Sequence, residues 1–379
     1  MRNLVITLLL ILLVACENKK SFNELSNVES PIIASDISSQ KITAFAEDRH
    51  GHIWIGTSRG LNKYDGNEFY QYFSTDDSLG LPDNQITDIL LDSKKRLWIA
   101  TVNGVCRYTE KDNFHRIPIK QSNQNGQQLI ETRDGQILLN FYFSLAIYNP
   151  DTDSFDEFKQ YDTPHLSMNF FSDAGNDLWS VNDRTINRYN SKTLKLEDSI
   201  TMDFNVQTSY LWRNNELWIS GDGKVAIFDT RTRRFVHTPP CITNHPLFKL
   251  SSVRKIYSIN SGTLVIATDN HGLFVYNRGE QTLFHQNESG FPFSGTDNQI
   301  STLFVDSQNN LWLGTDDQGF STRNSYKERF NNDNFLSEYF RNKPVLALAE
   351  DDEPGHILFI KLSRIRQKRR SSDQFDVFR

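Results

Sequence analysis

The chain has 379 residues, with 41 Lys and Arg against 47 Asp and Glu, a formal net charge of −6. A mildly acidic balance gives no global electrostatic drive toward nucleic acid, so none is expected as a partner. A hydrophobic content of 37% fits a water-soluble protein with a folded core and excludes a membrane-embedded bundle.

The first element is a leader. Arg2 precedes an apolar run from Leu4 to Ala15 that ends in Leu13-Val14-Ala15-Cys16. Such a run is too short to span a bilayer and has the length of a signal-peptide core. Leu-x-Ala-Cys resembles a bacterial lipobox, so residues 1–16 read as a lipoprotein-type signal peptide, with Cys16 as the acylated residue. An ordinary cleaved signal or a signal anchor is the alternative. Residues 17–39 read as a polar tether. Acyl chains would then hold the protein on a membrane, on the periplasmic or cell-surface side. Cys106 and Cys241 fall in unrelated segments, and no disulfide between them is expected.

From residue 40 onward one phrase returns. Ile53-Trp54-Ile55-Gly56-Thr57, Leu97-Trp98-Ile99-Ala100-Thr101 and Leu311-Trp312-Leu313-Gly314-Thr315 are close copies. Trp179 and Trp218 mark looser copies, and Leu138 and Val265 hold the same frame without tryptophan. The seven anchors are 54, 98, 138, 179, 218, 265 and 312, with steps of 39 to 47 residues. Around each anchor lie short β-branched or aromatic runs bounded by Gly, Asp and Asn, which is strand chemistry broken by turn chemistry. Four short strands per repeat of this length make a propeller blade. No stretch after residue 30 shows the three- and four-residue apolar spacing of a helix.

The predicted fold is therefore all-β, a seven-bladed β-propeller over residues 40–340. Glycine opens the third strand (Gly60, Gly104, Gly272, Gly319) and an aromatic closes it (Tyr64, Tyr108, Tyr148, Tyr189, Phe228, Tyr276). Such rings can pack between neighbouring blades, so the tryptophans read as core. Trp212 stands outside the anchor series. Residues 341–379 read as a partial, degenerate eighth repeat, because the anchor-to-aromatic spacing falls from ten residues (54 to 64) to six (359 to 365). A lone blade cannot bury its two faces, so this copy either closes an eight-bladed ring or begins a second propeller.

The phrase at 42–65, Ile-Thr-x-x-x-Glu-Asp-x-x-Gly-x-Ile-Trp-Ile-Gly-Thr-x-x-Gly-Leu-Asn-x-Tyr-Asp, resembles the two-component regulator propeller repeat. So does the lead-in Leu81-Pro82-Asp83-Asn84-Gln85-Ile86. The resemblance implies the periplasmic sensor part of a hybrid two-component histidine kinase, a class in which many members detect oligosaccharides. Relative to that layout the chain looks truncated: it shows no β-sandwich region, membrane helix, kinase His box or nucleotide-binding glycine motif. No kinase activity of its own is expected, and signalling would run through a protein partner or missing C-terminal domains.

Ligand candidates come from blade geometry. The turns joining strands two and three share one face, and they carry Arg59, Asn103, Tyr142, Arg184, Asp222, His271 and Asp316. Amides, carboxylates and guanidinium forks beside a flat ring suit sugar hydroxyls. The plain alternative is that turns are polar because water covers them. No metal or cofactor motif appears. Asp316-Asp317 and Asp151-x-Asp153 sit where hairpins use Asp anyway, so an enzyme is not expected. A propeller-fold carbohydrate-active enzyme would instead depend on a pore-face carboxylate such as Asp222 or Asp316. A lipoprotein scaffold for a protein partner is the other alternative. Six basic residues in the ten from Lys361 to Arg370 read as a solvated face.

Overall fold

The computed structural model describes residues 31–75, 79–109, 111–120, 126–141, 144–160, 169–213, 215–221, 223–269, 271–288, 300–324, 347–350 and 357–360. The chain divides into two compact units, one up to Arg323 and one from Asn324 to Arg379. In the second unit the described residues form a single hairpin, Ala347–Glu350 paired antiparallel with Ile357–Ile360.

The first unit is a seven-bladed β-propeller. Blade one contains β1 (Ile32–Ala34), β2 (Ile42–Glu47), β3 (Ile53–Thr57), β4 (Gly60–Tyr64) and β5 (Phe69–Tyr72), in the order β1-β5-β4-β3-β2. β2 is the inner strand, and β1 adds a fifth strand to the outer edge. Five four-stranded antiparallel sheets follow, and the seventh blade contributes three described strands, Ile300–Val305, Asn310–Thr315 and Phe320–Asn324. All seven anchors fall on the second strand of their blades. The ordered ring begins before residue 40, inside the span read as tether. Besides the β1 pairing, the Ser38 N–H donates to Asn62 Oδ1 at 2.8 Å.

Each anchoring tryptophan packs on the third-strand aromatic of the next blade. Trp54 meets Tyr108 at 4.6 Å between ring centroids, Trp98 meets Tyr148 at 4.8 Å, Trp179 meets Phe228 at 5.5 Å and Trp218 meets Tyr276 at 5.4 Å. Trp312 of blade seven meets Tyr64 of blade one at 6.0 Å. That last contact closes the ring, joined by Ser301 Oγ donating to the Ile42 carbonyl at 3.0 Å. With blades seven and one in contact, this ring has no place for an eighth blade.

The tryptophans are also held from behind. In four blades the residue six positions before the anchor is an aspartate that accepts the indole N–H at 2.9 Å: Asp48, Asp92, Asp173 and Asp306. The same carboxylates accept backbone N–H groups of the turn between strands one and two. Removing one such ring would cost about 3–5 kcal/mol, as for other buried aromatics. Among the described residues, one short helical segment departs from the all-strand expectation. α1 (Pro240–Thr243) and a 3₁₀ turn (Phe248–Leu250) fill the connection from blade five to blade six.

Candidate functional site

In an antiparallel blade, the turn between strands two and three lies at the end where the inner strand begins. The structure joins the two directly. The Ser58 N–H donates to the Lys41 carbonyl at 3.1 Å, Val102 to Gln85 at 3.1 Å, and Asp269 to Ser252 at 3.0 Å. The threonine of the Gly-Thr phrase fixes each turn: the hydroxyls of Thr57, Thr101, Thr268 and Thr315 donate to the carbonyls of Gly60, Gly104, Gly272 and Gly319 at 2.8 to 2.9 Å. Gly60 and Gly104 need their residue type, since their φ values of 133° and 131° exclude a side chain. The result is a rigid rim of turns around one mouth of the ring.

Arg59, Asn103, Arg184 and Asp316 all lie on this rim, exposed. Among the described residues, the side chains of Arg59, Asn103 and Asp316 make no hydrogen bond within the protein. The backbone N–H groups of Arg59 and Asn103 hold the turn, at 3.1 and 3.3 Å from their threonine hydroxyls. Arg184 helps to lower the pKa of Asp203 through its charge, behind the Lys224 contact. His271 differs. Its Nδ1 lies 3.1 Å from Ser251 Oγ, and its carbonyl lies 2.7 Å from His285 Nε2, so this histidine ties its turn to the segment that follows α1. Tyr142, Asp222 and Cys16, and the basic run from Lys361 to Arg370, lie outside the described residues.

Inside the rim, inner strands of six blades line a channel of about 550 Å³. The third residues of five inner strands girdle it, Ala44, Asp88, Gln128, Lys255 and Thr302, and Asn169, first in its own inner strand, joins them. Neighbouring blades are stitched through this girdle. The Leu129 N–H donates to Asp88 Oδ2 at 2.8 Å, the Phe170 N–H to Gln128 Oε1 at 3.2 Å, and Asn169 Nδ2 to Ser209 Oγ at 3.3 Å.

Two charges face this channel. Burial pushes the Asp88 carboxyl up to about 6, against the pull of the Leu129 and Ile89 N–H groups and of Lys255. Burial lowers the Lys255 ammonium, with the Asp88 charge opposing. Lys255 is open to channel water, yet protein surrounds it, and the shortage of bulk water is what shifts it. These residues were not among the sequence candidates. Asp88 stands in Ile86-Thr87-Asp88-Ile89-Leu90 and Lys255 in Val253-Arg254-Lys255-Ile256-Tyr257, and neither segment alone marks its charge as facing a channel.

No group of three or more His, Cys, Asp or Glu residues that could hold a metal ion is present among the described residues. No helix among them is long and apolar enough to cross a membrane.

Comparisons with known proteins agree with the repeat phrase. The sequence model of the two component regulator propeller matches residues 36–59, 80–103 and 294–317. The curated proteins give no match. Among solved structures, the extracellular domain of a hybrid two component system from B. thetaiotaomicron superposes with a TM-score of 0.63 at 17% identity, covering 87% of this chain and 46% of that one. The extracellular domain of a one component system from B. thetaiotaomicron gives 0.61 at 17% identity, covering 79% and 43%. Virginiamycin B lyase from Staphylococcus aureus gives 0.55 at 10% identity, covering 75% and 94%. The chain thus spans about half the length of the two sensor-type domains, and these likenesses show the propeller fold they share. Three repeats of the chain, closed here into one ring with four others, match the two component regulator propeller model.

Proposed function

We propose that this chain is the ligand-sensing propeller of an extracytoplasmic signalling protein, and that an oligosaccharide binds on the rim of turns between strands two and three. The observation that carries this reading is the contrast between the two ends of the blades. At the other end, Asp48, Asp92, Asp173 and Asp306 are consumed by indole and backbone N–H groups. On the rim, Arg59, Asn103 and Asp316 are exposed on turns that threonine clamps have already fixed. Preorganised backbone with uncommitted polar side chains is the arrangement that binds hydroxyl-rich ligands at low ordering cost. The extracellular domains named above support placement outside the cytoplasm, with Cys16 as the acyl anchor and signalling relayed to a protein partner or further domains.

The test is isothermal titration of the full chain against neutral oligosaccharides, alongside Arg59→Ala, Asn103→Ala and Arg184→Ala. Binding without turnover, weakened about tenfold by the rim substitutions, is the expected result. Chemical conversion of the bound ligand would replace the sensor reading with an enzymatic one. For the anchor, Cys16→Ser is expected to move the protein from the membrane fraction to the soluble fraction.

A further inference from the structure

The opposite face carries a second concavity, between blades one and two, of about 400 Å³. Arg49, His50, Lys94, Lys95, Arg96, Arg107 and His115 line it, with Asp48 as the carboxylate in the lining. Leu91, Leu97 and Tyr108 supply an apolar wall.

Three features separate this cleft from an ordinary solvated charge cluster. First, it is local. The turns between strands one and two are basic in blades one and two, Arg49-His50-Gly51-His52 and Lys94-Lys95-Arg96. In blades four and seven the same turns read Ala174-Gly175-Asn176-Asp177 and Ser307-Gln308-Asn309-Asn310. Second, part of the cleft lining is already fixed. Both Arg96 and Arg107 lie over the Trp98 ring, at 5.0 and 5.2 Å from its centroid. Asp92 holds Arg96 at 2.6 Å, and Asp153 holds Arg107 at 2.8 Å and His115 at 2.6 Å. Those carboxylates sit behind the guanidinium groups and hold them in place. Lys94 and Lys95 are exposed and make no ion pair among the described residues.

Third, Lys95 occupies a left-handed backbone position, with φ of 63°. Equivalent turns place Gly51, Gly135, Asn176 and Asn309 there, the residue types that tolerate it. A lysine at that position is strained, and strain of this kind gathers at functional sites.

We propose that this cleft binds an acidic sugar chain, through carboxylate or sulfate groups spaced along it. The cations supply charge-assisted donors, and Tyr108 with the two leucines offers a flat apolar wall to the ring carbons. The site lies at the opposite end of the blades from the rim, so it stands whether or not the rim binds neutral glycan.

The experiment is calorimetric titration of the full chain with tetragalacturonate and with a sulfated tetrasaccharide, using a neutral tetrasaccharide and a tetranucleotide as controls. Lys95→Gly removes the charge while giving the turn its preferred residue, so the variant folds at least as well as the parent. Saturable binding of an acidic tetrasaccharide is expected. It should weaken at least fivefold in Lys95→Gly and tenfold or more with Lys94→Glu added, fall with rising salt, and be unchanged in Arg59→Ala. No saturable binding of either acidic sugar would overturn the proposal. So would affinity indifferent to both lysine substitutions, or equal binding of the neutral sugar or of the tetranucleotide.

Discussion

Trp212 meets Trp218 edge-on, with ring centroids 5.7 Å apart and planes inclined at 71°. Trp212 stands six residues before its anchor, the position that holds aspartate in four other blades. The Trp218 indole N–H is accordingly buried without an acceptor, while Trp98 donates to Asp92 at 2.9 Å. Blade five exchanges a hydrogen bond for aromatic packing.

The two anchors should therefore respond differently to the same change. Trp98→Phe strands part of a buried carboxylate and is expected to cost about 2–3 kcal/mol beyond the lost packing. Trp218→Phe removes a donor that had no partner, so this added cost should be absent. Chemical denaturation of both variants measures the difference. Equal losses would mean that the aspartate bonds contribute nothing net.

The buried aspartates also set the acid limit of stability. Burial acts to raise Asp92, but bonds from Trp98 and Arg96 outweigh it and hold its pKa below the ordinary 3.8; Asp48 is lowered in the same way by Trp54 and its turn. A folded pKa below the unfolded value stabilises the fold above about pH 4, and that stabilisation is lost as pH falls through the folded pKa. The melting temperature should drop steeply below pH 4, and Asp92→Asn should flatten the drop from a lower starting value.

Asp88 runs the opposite way. Its folded pKa of about 6 lies above the unfolded 3.8, so ionising it opposes folding increasingly as pH rises through that window. The melting temperature of Asp88→Asn, compared with the parent, should therefore gain ground between pH 4 and pH 7. A pH-independent gap would show that Asp88 ionises freely in the channel.

Cys106 is fully buried in the interface of blades one and two, and burial pushes its thiol up. It should resist a thiolate-selective reagent in the native protein and react on unfolding. Cys241 is partly exposed, and its reaction should come first. Mass mapping after a short pulse of reagent distinguishes the two.

The seam between blades seven and one has its own contact: Glu47 accepts both the N–H and the hydroxyl of Ser307, each at 2.6 Å. Glu131 of blade three holds Ser93 of blade two in the same manner. Glu47→Ala should cost about 1–2 kcal/mol and speed hydrogen exchange in β2 and in Ile300–Val305. Glu131→Ala should leave exchange at that seam unchanged.

Blade number, strand order and the inter-blade role of the tryptophans were legible in the sequence, because turn glycines and anchor aromatics recur at fixed offsets. The rim was legible too, since the turns between strands two and three share a face by topology alone. Residue-level commitments were not. His271 looks like any exposed turn histidine until the connection carrying α1 folds over it, and that contact spans 20 residues. The Asp48–Trp54 bond repeats in the sequence as an Asp six residues ahead of a Trp, a signal that competes with the ordinary use of Asp in turns. The channel girdle was hidden for another reason. Asp88 and Lys255 are 167 residues apart in sequence, and only closure of the ring brings their blades around one axis.

The described strands of blade one come from residues 32–72 and those of blade seven from residues 300–324, so no sheet among the described residues shares strands across the closing seam. Ring integrity there rests on Trp312 against Tyr64 and on bonds such as Ser301 to Ile42. Within each blade the strands are joined by a continuous ladder of backbone bonds, whereas blade meets blade through side chains and isolated bonds. The molecule is thus a closed string of separately laddered sheets, in which a change at one boundary leaves the ladders on either side whole.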